Sequence, residues 1–272
     1  MAKKKIASDL VAPVAHDEPV KICFERILPD DLDLDHAGRR AMRNALITGL
    51  GKPLDAGEMI HVSRMAVVDL KRWAKGSTLK CRFLDGSPTM KKKVQAVAHQ
   101  WEKCANIKFK FVASGPAEIR ISFYADAGSW SAVGKDALVQ QYFPLHQPTM
   151  NYGWLRDDTD DGEYQRVVLH EFGHALGAIH EHQAPKFTRV WDVAAVMKYF
   201  SGPPNNWSPD DIKSNVLEKY SPKGILSTNY DPNSIMLYFF DGHLFADNLG
   251  PTNENKKLSP TDISFMKSMY PK

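Results

Sequence analysis

His170-Glu171-Phe172-Gly173-His174-Ala175-Leu176-Gly177-Ala178-Ile179-His180 is the stretch on which the reading of this chain turns. On an α-helix, residues four apart share a face, so His170 and His174 point the same way and can hold one metal ion from a rigid support. Glu171 lies about 100° further round. There it sits beside such an ion without being aimed at it, which suits a base acting on a metal-activated water. His180 is too far beyond His174 to share that face if the helix ran on. Gly177 resolves this, because glycine takes the left-handed conformation that ends a helix and turns the chain back. Three neutral imidazoles and one water make an open tetrahedral zinc site, the catalytic kind. A bare His-Glu-x-x-His arises by accident, and two histidines on a buried helix are more often packed than ligating. The longer form, with the glycine and the third histidine in register, is far more specific.

Outward from the motif, a helix is expected from about Gly162 to Leu176. The acidic run Asp157–Gly162 fails as a calcium loop, since its twelfth position would be Val168 rather than Glu. It reads instead as a solvated loop whose charge suits a helix start. Upstream, Leu79–Leu84 and Ile107–Val112 alternate like half-buried strands, Ile119–Phe123 is another, and Met150–Trp154 a further one. Met90, Val94, Val97, Ala98 and Trp101 fall at helical spacing, which predicts a helix over Thr89–Cys104. Downstream, a helix is expected around Val193–Phe200. Ser208-Pro209-Asp210-Asp211 and Ser259-Pro260-Thr261-Asp262 both place Ser at an N-cap, Pro at N1 and an acid at N3, so two more helices start there. Helical patterns over residues 36–50 and 63–73 precede all of this.

The motif resembles the zinc signature of the metzincin superfamily. With Glu181 following the third histidine, it is similar to the astacin family in particular. Ser234-Ile235-Met236-Leu237-Tyr238 resembles that family's Met-turn, with Leu237 where astacins usually have His. Gly128–Gly134 resembles another astacin segment, with Ser129 where Cys is common, a departure that puts the family's usual disulfides in doubt. The resemblance covers residues 73–272. It implies an α+β, two-lobed zinc protease: a twisted mixed sheet plus helices in the upper lobe, a mostly irregular and helical lower lobe, and the metal between them. It also implies an extended peptide substrate along an edge strand, for which Ile119–Phe123 is the expected candidate, and Tyr238 as a resting fifth ligand that swings to the oxyanion.

The implied activity is hydrolysis of internal peptide bonds of proteins. One catalytic Zn2+ is held by His170, His174 and His180, and Glu171 is the general base. A zinc-binding protein without catalysis would be favoured by loss of Glu171, which is present, and a non-proteolytic zinc hydrolase is disfavoured by the Met-turn. The chain of 272 residues is 43% hydrophobic and 25% charged, enough for a large globular core. A net charge of +3 gives no reason to expect nucleic acid as a ligand. No stretch is long and apolar enough to span a bilayer. The basic run at Lys3–Lys5 is not followed by an apolar signal-peptide region, which leaves a cytoplasmic location or export by a signal-less route. Cys23, Cys81 and Cys104 show no paired spacing and read as reduced thiols, two of them buried. Residues 72–272 are expected to be the catalytic domain and 1–71 an N-terminal extension, its first 20 or so residues disordered. The extension is either a packing or targeting element or a pro-segment that blocks the cleft. In the second case Cys23, Asp30, Asp31 or Asp33 would supply the group that displaces the zinc water.

Overall fold

The structure is a computed structural model that describes residues 23–26, 71–125, 128–202, 206–220 and 229–272. The helical patterns at 36–50 and 63–70 and the arm at 1–20 lie outside the described residues. The sheet contains β1 (Cys23–Arg26), β2 (Thr78–Phe83), β3 (Lys108–Phe111), β4 (Ile119–Ser122), β5 (Ser129–Ala132) and β6 (Met150–Asn151), in the order β1-β5-β6-β4-β2-β3. The neighbours β3, β2, β4 and β6 are parallel, β5 is antiparallel to β6, and β1 runs parallel to β5 with Cys23 opposite Ser129.

The expected edge strand is not an edge. β4 is paired on both sides, by β2 and β6, and all four of its residues are buried. Apolar periodicity reports which faces of a strand are covered but not which strands lie beside it, and that lateral order is set by distant segments. Beyond β6 comes β5, and β1 covers its outer side.

α1 (Pro88–Ala98) begins where Ser87 accepts from Met90 N and ends earlier than expected. Its last turn tightens into a 3-10 segment, Trp101–Lys103, that keeps Trp101 fully buried. α2 (Asp161–Ala175) is the helix of the motif. Asp160 caps it, accepting from Gly162 N and Glu163 N, while Asp161 and Glu163 place negative charge in the first turn. That is the use of the acidic run. α2 packs against α1 and against the sheet. Trp101 Nε1 donates to Leu169 O at 3.0 Å, and Phe109 meets Phe172 edge-on at 4.9 Å.

Below the site are α3 (Val193–Ser201), the short α4 (Pro209–Ile212) running into a π-helical turn at Lys213–Leu217, and α5 (Pro260–Met269). Both expected Ser-Pro starts are complete capping boxes, Ser208 with Asp211 and Ser259 with Asp262. Cys23, Cys81 and Cys104 are all free and all buried, one more than expected. Among the described residues, no helix is long and apolar enough to cross a membrane.

Candidate active site

His170 and His174 project from the last two turns of α2. The helix stops where expected. Gly177 takes φ +96°, Gly177 N donates to His174 O at 2.7 Å and Ala178 N to Gly173 O at 3.0 Å, and the chain turns to bring His180 back. His174 Nε2 then lies 3.1 Å from His170 Nε2 and 3.0 Å from His180 Nε2. All three residues are at most 2% exposed.

The other ring nitrogens show what this cluster is for. His170 Nδ1 donates to Ile235 O at 2.8 Å and His174 Nδ1 to Ala178 O at 2.9 Å. A carbonyl only accepts, so both rings carry the proton on Nδ1 and present a lone pair at Nε2. Converging lone pairs repel unless a cation sits among them. Burial agrees: it lowers the pKa of His170 and His180 well below the usual value and that of His174 to about 4, so the rings are neutral at pH 7 and ready to ligate. Ligand nitrogens in a tetrahedral zinc site are about 3.3 Å apart, from Zn–N distances of about 2.0–2.1 Å, so the cluster fits zinc.

The turn at Ser234–Leu237 holds the floor. Met236 Sδ packs against Gly173, where a side chain would collide with it at 2.4 Å. Asp262 of the α5 capping box reaches this turn, accepting from Ser234 Oγ at 2.7 Å and Ile235 N at 2.8 Å. The helix cap thus fixes the carbonyl that orients His170. Glu181 is half-buried and bridges to the same region. Its backbone N donates to Met236 O at 2.9 Å and its carboxylate accepts from Asp231 N at 2.8 Å, while burial raises its pKa to about 7.

Glu171 is fully buried beside His170. Cys23 reaches the same place: its Sγ, a His170 ring nitrogen and a Glu171 oxygen lie within 4.8 Å of one another. Burial first, then the Glu171 carboxylate, push the thiol pKa up. The Tyr238 hydroxyl donates to the Cys23 carbonyl and also contacts His180 Nε2, and its ring stacks on His170 at 5.0 Å. The predicted Glu171, Tyr238 and three histidines therefore converge, and of the four candidate blocking groups Cys23 is the one found there. Asp30, Asp31 and Asp33 lie outside the described residues.

Sequence reasoning missed His182 and Gln183, both buried. His182 stacks on His180 at 5.1 Å, and Gln183 Oε1 faces His180 Nδ1 at 3.2 Å. Their spacing of two and three residues from a ligand was the available signal.

Comparisons with known proteins agree with this geometry. The family model described as Matrixin matches residues 72–190. The solved structure titled "Structure of myroilysin" is 40% identical, with a TM-score of 0.72, covering 75% of this chain and 98% of that one. A second, titled "Crystal structure of myroilysin", is 40% identical with a TM-score of 0.59, covering 74% and 86%. High choriolytic enzyme 1, a hatching enzyme zinc-protease from Oryzias latipes (Medaka fish), shares the fold at 17% identity and a TM-score of 0.51, covering 74% of this chain and 95% of that one. No curated protein matches the chain. With three histidines placed for a catalytic zinc and a myroilysin relative matched over nearly its whole length, this chain belongs to the metzincin zinc metallopeptidases and is a zinc-dependent endopeptidase of matrixin and myroilysin type.

Proposed function

We propose that this endopeptidase is astacin-like in its site and latent as a full chain, with residues 1–71 forming a segment that blocks the cleft through Cys23. The observation that carries the reading is the Cys23 thiol beside His170 and Glu171, buried and held by Tyr238 and by the pairing of β1 with β5. A thiolate is a strong zinc ligand, so a cysteine at this point competes with the water that catalysis needs. The astacin likeness is supported by Glu181 after the third ligand and by Tyr238 two residues after Met236. The match of the family model from residue 72 supports the domain boundary.

In the active form, His170, His174 and His180 hold the metal. Bound zinc supplies Lewis-acid chemistry, polarising a carbonyl oxygen and making a water acidic enough to ionise near neutral pH. Glu171 takes that proton and later delivers it to the leaving amine. Tyr238 donates its hydroxyl to the oxyanion. With β1 gone, β5 offers unpaired backbone groups along which an extended protein substrate lies.

The test compares three zinc-loaded full chains on one quenched fluorescent peptide. Cys23→Ala is expected to exceed wild type, and Cys23→Ala/Glu171→Gln to lose at least about 10²-fold of that activity. Equal rates in wild type and Cys23→Ala would refute the block. Full activity in the double variant would refute the base.

A further inference from the structure

The third ligand is oriented differently from the first two. His170 and His174 turn Nδ1 toward backbone carbonyls, whereas His180 turns Nδ1 toward a side chain, Oε1 of Gln183 at 3.2 Å. An amide side chain can lie either way round, and here a second bond decides. Gln183 Nε2 donates to Glu218 O at 3.1 Å, and a carbonyl can only accept. The amide oxygen must therefore face His180. That requires the proton of His180 on Nδ1 and leaves Nε2 as the lone pair. The amide is well fixed, since Gln183 is 2% exposed and its own carbonyl accepts from Tyr220 N at 2.9 Å. One residue earlier, His182 Nε2 donates to Asn215 O at 3.0 Å. The loop that carries His180 is thus bonded at three points to residues 215–220.

We propose that Gln183 is a positioning residue, which sets the tautomer and approach of His180 and ties residues 215–220 to zinc occupancy. Partners of this kind typically govern metal affinity by 10–100-fold when removed. If those residues hold the ligand in its binding pose, metal binding must in turn stabilise them, because the coupling is reciprocal.

The inference rests on the three-histidine zinc site, so His174→Ala is measured beside it. Stoichiometric zinc in that variant would overturn the site rather than the role of Gln183. In the full chain, zinc affinity is read by competition with a chelator of known strength. Gln183→Leu removes both side-chain bonds and is expected to weaken zinc about 10–100-fold. Gln183→Glu keeps the acceptor for His180 while losing the donor to Glu218, and is expected to stay within a few-fold of wild type. The ¹⁵N signature of a protonated His180 Nδ1 should persist in the Glu variant and be lost in the Leu variant. The Tyr220 amide should exchange more slowly in the zinc-loaded wild type than after chelation.

Wild-type affinity in Gln183→Leu would overturn the proposal. So would an equal loss in Gln183→Glu, which would mean that the bond to Glu218 alone matters. If Gln183→Leu fails to fold without metal, as read by circular dichroism, Gln183→Glu decides, and a tenfold loss with intact fold refutes the role. Identical Tyr220 exchange with and without zinc would refute the coupling.

Discussion

Gly173→Ala sets two effects of known size against each other. In an ordinary helix interior the change stabilises by about 0.8–1.0 kcal/mol, because glycine leaves more backbone freedom to lose. At this position a Cβ would sit 2.4 Å from Met236 Sδ and 3.3 Å from its Cε. Ordinary contact is about 3.5–4.0 Å, so the thioether must move by more than an ångström. Its room is limited. Met236 is 4% exposed, and Trp101 Cζ2 would lie 3.4 Å from the same Cβ. Overpacking of this kind costs about 1–3 kcal/mol. Steric cost exceeds helix propensity, and the net expectation is destabilisation by about 1 kcal/mol. For a domain of this size that is a fall of about 2–4 °C in Tm. Thermal unfolding of the zinc-loaded protein reads it. Truncating the obstacle should reverse the sign, so the Gly173→Ala/Met236→Ala pair is expected to show a coupling of about 1 kcal/mol or more in a double-mutant cycle. A higher Tm for Gly173→Ala alone would mean that Met236 moves freely and that the close approach of helix and turn is not tight.

Tyr238→Phe, made in the Cys23→Ala background so that the latch is not also disturbed, is expected to lower kcat about 10²-fold, the usual cost of one oxyanion donor. A change confined to KM would contradict the assignment. The chelated protein is expected to be acid-labile. Burial lowers His174 and His182 to about 4 against 6.5 for a free histidine, so the unfolded chain binds more protons between those values. Their contribution is complete above about pH 6.5 and is lost toward pH 4, at roughly 1.4 kcal/mol per histidine per unit. Urea midpoints that do not move between about pH 7 and pH 5 would refute it.

The parts of the fold visible in the sequence are those fixed by local chemistry. The return of His180 depends on one glycine, and both capping boxes depend on residues three apart, so a single segment suffices to read them. The position of β4 could not be read this way, since its neighbours β2 and β6 come from residues 78–83 and 150–151. Gln183 had only its spacing from His180 to mark it, for a related reason. A glutamine has no metal chemistry of its own, and its role arises because the fold places Glu218 on one side of the amide and His180 on the other. Cys23 was recognisable as a good zinc ligand, but its place beside His170 and Glu171 depends on the pairing of β1 with β5, which comes from residues about 100 positions away.

That pairing bears on solubility as well as on the cleft. An uncovered edge strand is a template for any other chain with free backbone groups, including a second copy of itself. β5, Ser129–Ala132, has no proline, charge or bulge to discourage such additions. Its protection is another strand, β1. While β1 is in place, β5 is covered, and the open row on this side of the sheet is that of the four-residue β1. On the proposed reading, a chain that loses β1 would open the same hydrogen-bonding row to a substrate and to a second copy alike, so removal of the segment would trade shelf life for access.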